Sequence, residues 1–102
     1  MQVARREGEV VVILHGEVDL STAPTLEAAL RTATREPRAP VVVDMSDTDF
    51  LACCGISVLD TTRATLADAG FPLVVTGARG SVRRLLNMVN GAGRDGHLAT
   101  RT

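Results

Sequence analysis

The sequence predicts an α/β fold: a single domain built on a mixed, mostly parallel β-sheet of four to five strands with about three α-helices. Two observations carry that reading. Apolar, β-branched runs of strand length occur at residues 10–14, 41–43 and 71–76, and the segments between them place apolar residues at helical spacing. At 102 residues the chain is long enough for one core and too short for two, so residues 1–102 are expected to form one unit, its tail at 91–102 the least regular part.

Taken in order, residues 2–6 alternate weakly as an edge strand, and Glu7, Gly8 and Glu9 offer a turn into the dense run at 10–14, so the pair reads as a hairpin. His15 to Leu20 is expected to leave the strand and lead into a first helix, with Ser21 and Thr22 as N-caps and Pro24 in the first turn. Leu26, Leu30 and Ala33 recur at i, i+4 and i+7 on its inner side. Pro37 and Pro40 end that helix and launch the run at 41–43, which reads as a strand buried on both faces in the middle of the sheet. Ser46 to Asp49 is expected to be a polar loop, capped by Phe50 and Leu51. A second helix runs from about Cys53 to Ala69, with Ile56, Leu59, Leu66 and Ala69 inward and Gly70 as its stop. Residues 71–76 form the next strand, and Gly77 and Gly80 the turn after it. Ser81 caps a third helix with a stripe of Val82, Leu85, Leu86 and Val89, and Asn90-Gly91 ends it. A short edge strand near His97 to Thr100 completes the order. Helical crossovers between parallel strands are right-handed almost without exception, and the first strand, antiparallel, makes the sheet mixed.

Composition excludes several functions. Eleven basic residues face twelve acidic ones, with no basic run, so nucleic acid and anionic membrane are not expected partners. Every basic residue is Arg, which rules out a phosphate-loop lysine and Schiff-base chemistry. No apolar run approaches a membrane span and no signal-peptide core opens the chain; with two adjacent cysteines that suit neither a staple nor a zinc site, it reads as cytoplasmic and reduced.

Few residues invite chemistry, and each has a plainer reading. Gly91, Gly93 and Gly96 match a dinucleotide-binding string, but that chemistry needs the glycines between a strand and the next helix, and these follow a helix. Asp44, Asp47 and Asp49 read as a solvated acidic loop capping its own backbone. His15 and His97 lack a nucleophile-elbow partner. No metal, cofactor or catalytic set emerges, and an enzyme is not expected. Cys53 and Cys54 stand out: they open the second helix at the carboxyl end of the central strand, where open α/β sheets place functional surfaces and where backbone N–H groups and the helix dipole favour an anion. Small buried packing residues and a thiol switch both remain open for them.

Two stretches carry a resemblance. Gly16-Glu-Val-Asp-Leu-Ser-Thr-Ala-Pro-Thr-Leu26, between a strand and the first helix, and residues 41–59, an apolar strand ending in Asp, then Phe, then a small-residue turn into an apolar helix, together resemble the STAS family, the domain of anti-sigma factor antagonists and sulfate-transporter tails. The resemblance implies a protein-binding module, a monomer or weak dimer, that docks a partner-kinase anti-sigma factor or related serine kinase. It is released when that kinase uses ATP to phosphorylate the Ser or Thr before the Gly. It places partner contacts at Asp19, Ser21, Thr22, Ala23, Asp49, Ala52, Cys53, Cys54, Gly55 and Ser57. The family's Asp-Ser-Ser-Gly is Ala52-Cys53-Cys54-Gly55 here. Cys54 is thus the phosphoacceptor-equivalent position, and a thiol is not a substrate for ordinary serine kinases. Docking without Ser/Thr phospho-control is the implied function; a scaffold subunit of a larger signalling assembly and a thiol sensor using Cys54 are the alternatives.

Overall fold

The computed structural model describes residues 1–91 and 98–101. Its elements run β1 (Gln2–Arg6), β2 (Glu9–Val18), α1 (Ala23–Ala33), β3 (Val41–Leu51), α2 (Cys53–Asp68), β4 (Leu73–Thr76), α3 (Gly80–Gly91) and β5 (Ala99–Arg101). The five strands lie in sequence order, β1 antiparallel to β2 and every later pair parallel. The expected mixed sheet is present.

Alternation along the strands decides which face takes the helices. Val10, Val12 and Leu14 of β2, Val41, Val43 and Met45 of β3, and Leu73 and Val75 of β4 are buried in one apolar cluster. Leu26, Leu30 and Ala33 of α1, Ile56, Leu59 and Leu66 of α2, and Val82 and Leu86 of α3 join the same cluster. The helices therefore share one face of the sheet, as crossovers of one hand between successive neighbours require. On the other face Val11, Ile13 and Val74 are half-buried, and Val42, in the middle of their row, is 4% exposed. Each fully buried Leu contributes roughly 1.5–3 kcal/mol of transfer free energy, and helix inner positions supply five of them, so these stripes anchor the second layer.

Several expectations about boundaries are corrected. β2 does not end at Leu14, and residues 46–49 are not a loop: both strands continue, pairing His15 with Asp47, Gly16 with Thr48, Glu17 with Phe50 and Val18 with Leu51. Two register shifts let β3 take two more residues than β2 over this stretch. Bulges of this kind bend and re-aim a strand. The buried Thr48 hydroxyl pins the first by donating to the Leu14 carbonyl at 3.3 Å. Strand pairing here overrides the weak β-propensity of Asp and Ser. Because β4 stops at Thr76, opposite Asp44, the last seven residues of β3 pair with β2 alone and project beyond the sheet's centre.

α2 ends as expected. Gly70 has φ +88, its N–H donates to the Ala67 carbonyl at 2.9 Å, and the Phe71 N–H reaches the Leu66 carbonyl at 3.1 Å, which is the Schellman closure. Ala69, expected inward, is exposed beyond the last turn. β4 starts at Leu73, past Pro72, which lacks an N–H for the ladder. α3 begins at Gly80, so Ser81 lies inside the helix, and the helix runs through Gly91. The side chain of Val89, residues 92–97 with the glycine string, and His97 lie outside the described residues. No described helix is long and apolar enough to cross a membrane.

Candidate functional site

The projecting ends of β2 and β3 each turn into a helix, and the two turns are tied together. Val18 and Leu51 are register partners, and the Ala52 N–H donates to the Val18 carbonyl at 2.8 Å. Both stretches singled out in the sequence thereby form one surface at the carboxyl end of the sheet.

The first turn is organised by Asp19. Its Oδ1 accepts from the Ser21 hydroxyl at 2.7 Å and from the backbone N–H groups of Ser21 at 3.0 Å and Thr22 at 3.2 Å. The Ser21 hydroxyl is the largest cause that holds the Asp19 carboxyl below its ordinary range, with the backbone donors of Thr22 and Ser21 adding to it. Thr22 is the N-cap position of α1, yet its hydroxyl does not cap the helix. It accepts from the Asp19 N–H at 2.9 Å and donates to the Glu17 carbonyl at 3.1 Å. The expected Ser/Thr cap is absent, and the Asp19 carboxylate instead folds the turn before the helix back on itself. Ala23 is half-buried at the start of α1, and Ser21 is exposed.

The second turn has no side-chain cap. Ala52 is the extended N-cap residue of α2, and its carbonyl accepts from the N–H groups of Gly55 and Ile56. Among the described residues nothing accepts from the N–H groups of Cys53 and Cys54, so this helix start leaves both donors free. Cys53 is exposed and Cys54 half-buried. Gly55 is buried where only a glycine fits: a Cβ there would lie 2.8 Å from both Leu51 Cδ1 and Val18 Cγ1. That close approach lets the helix start sit directly on the strand ends. Ser57 is exposed one turn on from Cys53 and Cys54, in a shallow groove with Glu27, Thr61 and Thr62. Asp49 is exposed at the second register shift of β3.

Two of the acidic residues near the site have local partners. Asp44 Oδ1 accepts from the Ser46 N–H at 2.9 Å, and Asp47 pairs with His15 at 3.2 Å in the open. Among the described residues no cluster of three metal-ligating side chains occurs. The residues the sequence reading left out of the site are Leu20, 80% exposed, and Phe50, 48% exposed. Leu20 lies two residues past Val18 and Phe50 one before Leu51, so both flank the tie between the turns. Their signal in the sequence was an apolar residue inside a polar stretch.

Comparison with known proteins agrees with this architecture. The STAS domain family model matches residues 1–92. The chain is 35% identical over 82 residues to the anti-sigma-F factor antagonist RsfB of Mycobacterium tuberculosis, a match that covers 80% of this chain and 66% of that protein. The unphosphorylated anti-sigma factor antagonist SpoIIAA has the same fold, with a TM-score of 0.74 at 14% identity over 99% of this chain and 86% of its own. So does a variant of RsbS from Moorella thermoacetica, with a TM-score of 0.72 at 22% identity over 98% of this chain and 84% of its own. With the family model spanning nearly the whole described chain, the protein belongs to the STAS domain family.

Proposed function

We propose that this chain is an anti-sigma factor antagonist: a non-enzymatic, cytoplasmic binding module that docks a kinase-type anti-sigma factor through the two tied turns. The observation that carries the reading is the joining of both turns into one exposed surface, through the Val18–Leu51 pair and the 2.8 Å bond from Ala52 N–H to the Val18 carbonyl. The 35% identity to RsfB, named as an antagonist of this kind, supports it. Asp19, Ser21, Thr22, Ala23, Asp49, Ala52, Cys53, Gly55 and Ser57 supply or shape the docking surface, and Cys54 occupies the position of the phosphoacceptor. A phosphate there would add about two charges at a helix start that holds free N–H donors. The Cys54 thiol takes none from an ordinary serine kinase, so docking is not released by ATP.

The test pairs calorimetry with intact-mass measurement, using candidate kinase-type anti-sigma factors from the same genome, ATP, and the native chain beside Cys54→Ser. The expected result is that both forms bind, the native chain gains no phosphate, and Cys54→Ser gains one and dissociates. A phosphate on the native chain would overturn the unswitched reading, and absence of binding by either form would overturn docking itself.

A further inference from the structure

We infer that the surface this site docks is basic, with Arg or Lys side chains around an apolar pocket that receives Leu20 and Phe50. The inference rests on the docking reading above and specifies the partner's chemistry. It starts from where charge sits along the chain. No Arg or Lys lies between Arg6 and Arg31, nor between Arg38 and Arg63, and these two stretches hold nine acidic residues. Glu7 and Glu9 sit at the turn between β1 and β2, the far end of β2; the other seven are Glu17, Asp19, Glu27, Asp44, Asp47, Asp49 and Asp60. Those stretches are the ones that build the projecting ends of β2 and β3 and both turns. With a net charge of only -1 for the whole chain, the acidity is local to this end rather than general.

Of the elements that flank the tip, β4 carries no basic residue and α2 only one. β4 ends opposite Asp44 and Gly77 lies against Ser46, while strand rise carries Leu51 roughly 15–20 Å beyond Asp44. Arg63 is ten residues into α2, roughly 15 Å from the helix start, and is already paired with Asp60 at 3.2 Å. His15, in its exposed pair with Asp47, is the single titratable base of the two stretches. Glu17 and Asp49 are exposed, and neither side chain holds a hydrogen bond in the described structure. Glu17 is the register partner of Phe50, and Asp49 and Asp19 are the chain neighbours of Phe50 and Leu20, so carboxylates flank both exposed apolar side chains, as in an interface with an apolar centre and a charged rim.

The occupant follows from complementarity. Tip-to-tip pairing of two copies would set like charges against each other, and the phosphates of nucleic acid or anionic lipid would be repelled in the same way. A basic protein surface gains at both levels: its rim charges speed and orient encounter, and its pocket desolvates Leu20 and Phe50.

Association kinetics with the anti-sigma factor that binds in the experiment above test this, from about 10 to 150 mM salt. The on-rate is expected to fall at least roughly tenfold across that range. Glu17→Arg and Asp49→Arg, checked for native circular dichroism, are each expected to lower the low-salt on-rate several-fold and to flatten the salt dependence. Asp68→Arg, at the far end of α2, serves as the control and leaves both unchanged. Leu20→Ala and Phe50→Ala are expected to raise the off-rate. Binding indifferent to salt and to both charge reversals overturns the inference and leaves docking standing. A complex between two copies through this tip, dissolved by Leu20→Ala, overturns the partner class. Failure of every candidate to bind overturns both the docking reading and this inference.

Discussion

Replacing Gly55 by Ala tests whether the start of α2 is seated on the strand ends as described. The new Cβ would lie 2.8 Å from Val18 Cγ1 and Leu51 Cδ1, against roughly 3.5–4.0 Å for unstrained carbon contacts. Leu51 Cδ1 is the far end of a flexible side chain and can turn away. Val18 is β-branched, fully buried, and held by its strand pairing and by the bond from its carbonyl to Ala52 N–H. Overpacking of this kind costs roughly 1–3 kcal/mol, and the better helix propensity of Ala returns about 1 kcal/mol. The net expectation is a loss of up to about 2 kcal/mol, which for a chain of this size lowers the thermal midpoint by up to roughly 15 °C. Urea and thermal unfolding followed by circular dichroism measure it. The double substitution Val18→Ala with Gly55→Ala should be less damaging than the sum of the single changes by about 1 kcal/mol. A Gly55→Ala protein as stable as the native one, with no coupling to Val18, would refute the seating argument.

Three further outcomes are expected. Asp19 titrates below its ordinary value of 3.8, so its contribution to stability is fully present above that value and is lost as pH falls through the lower folded value. Asp19→Asn, which keeps an acceptor oxygen but does not titrate, should flatten the acid side of the stability profile, and Asp19→Ala should also weaken α1 at neutral pH, both read by unfolding at a series of pH values. Thr48→Val removes the buried bond to the Leu14 carbonyl and should cost about 0.5–1.5 kcal/mol in urea unfolding. Cys53, exposed, should be alkylated faster than half-buried Cys54, as peptide mass mapping after timed iodoacetamide treatment would show.

The helices and the sheet's centre were legible because burial there follows local period. Leu26, Leu30 and Ala33, or Val41 to Val43, can be placed inside from spacing alone, and Gly70 marks the end of α2 through its backbone freedom. The ends of β2 and β3 were not legible. Ser46, Asp47 and Asp49 carry the composition of a turn, and what makes the segment a strand is its pairing with β2, which no local window contains. Capping misled for a related reason: Ser21 and Thr22 are good caps by type, but Asp19, earlier in the chain, engages their own N–H groups and hydroxyls with a charged acceptor, so neither hydroxyl caps the helix. Leu20 and Phe50 were passed over because an apolar residue in a polar stretch reads as buried, whereas the projecting strand pair holds them outside the core.

The sequential order of the strands also bears on how the chain folds. From β1 to β4, each strand pairs with the one before it and none waits for a distant segment. The hairpin of β1 and β2 needs only the turn at Glu7 and Gly8, and β3 is separated from β2 by a single helical crossover, as β4 is from β3. Loop-closure entropy is thus met in modest steps, each rewarded by a new ladder before the next begins. A sheet assembled by accretion from its amino-terminal edge places the tied turns late in the process, since β2 and β3 must be zipped along their full length before Ala52 can reach Val18.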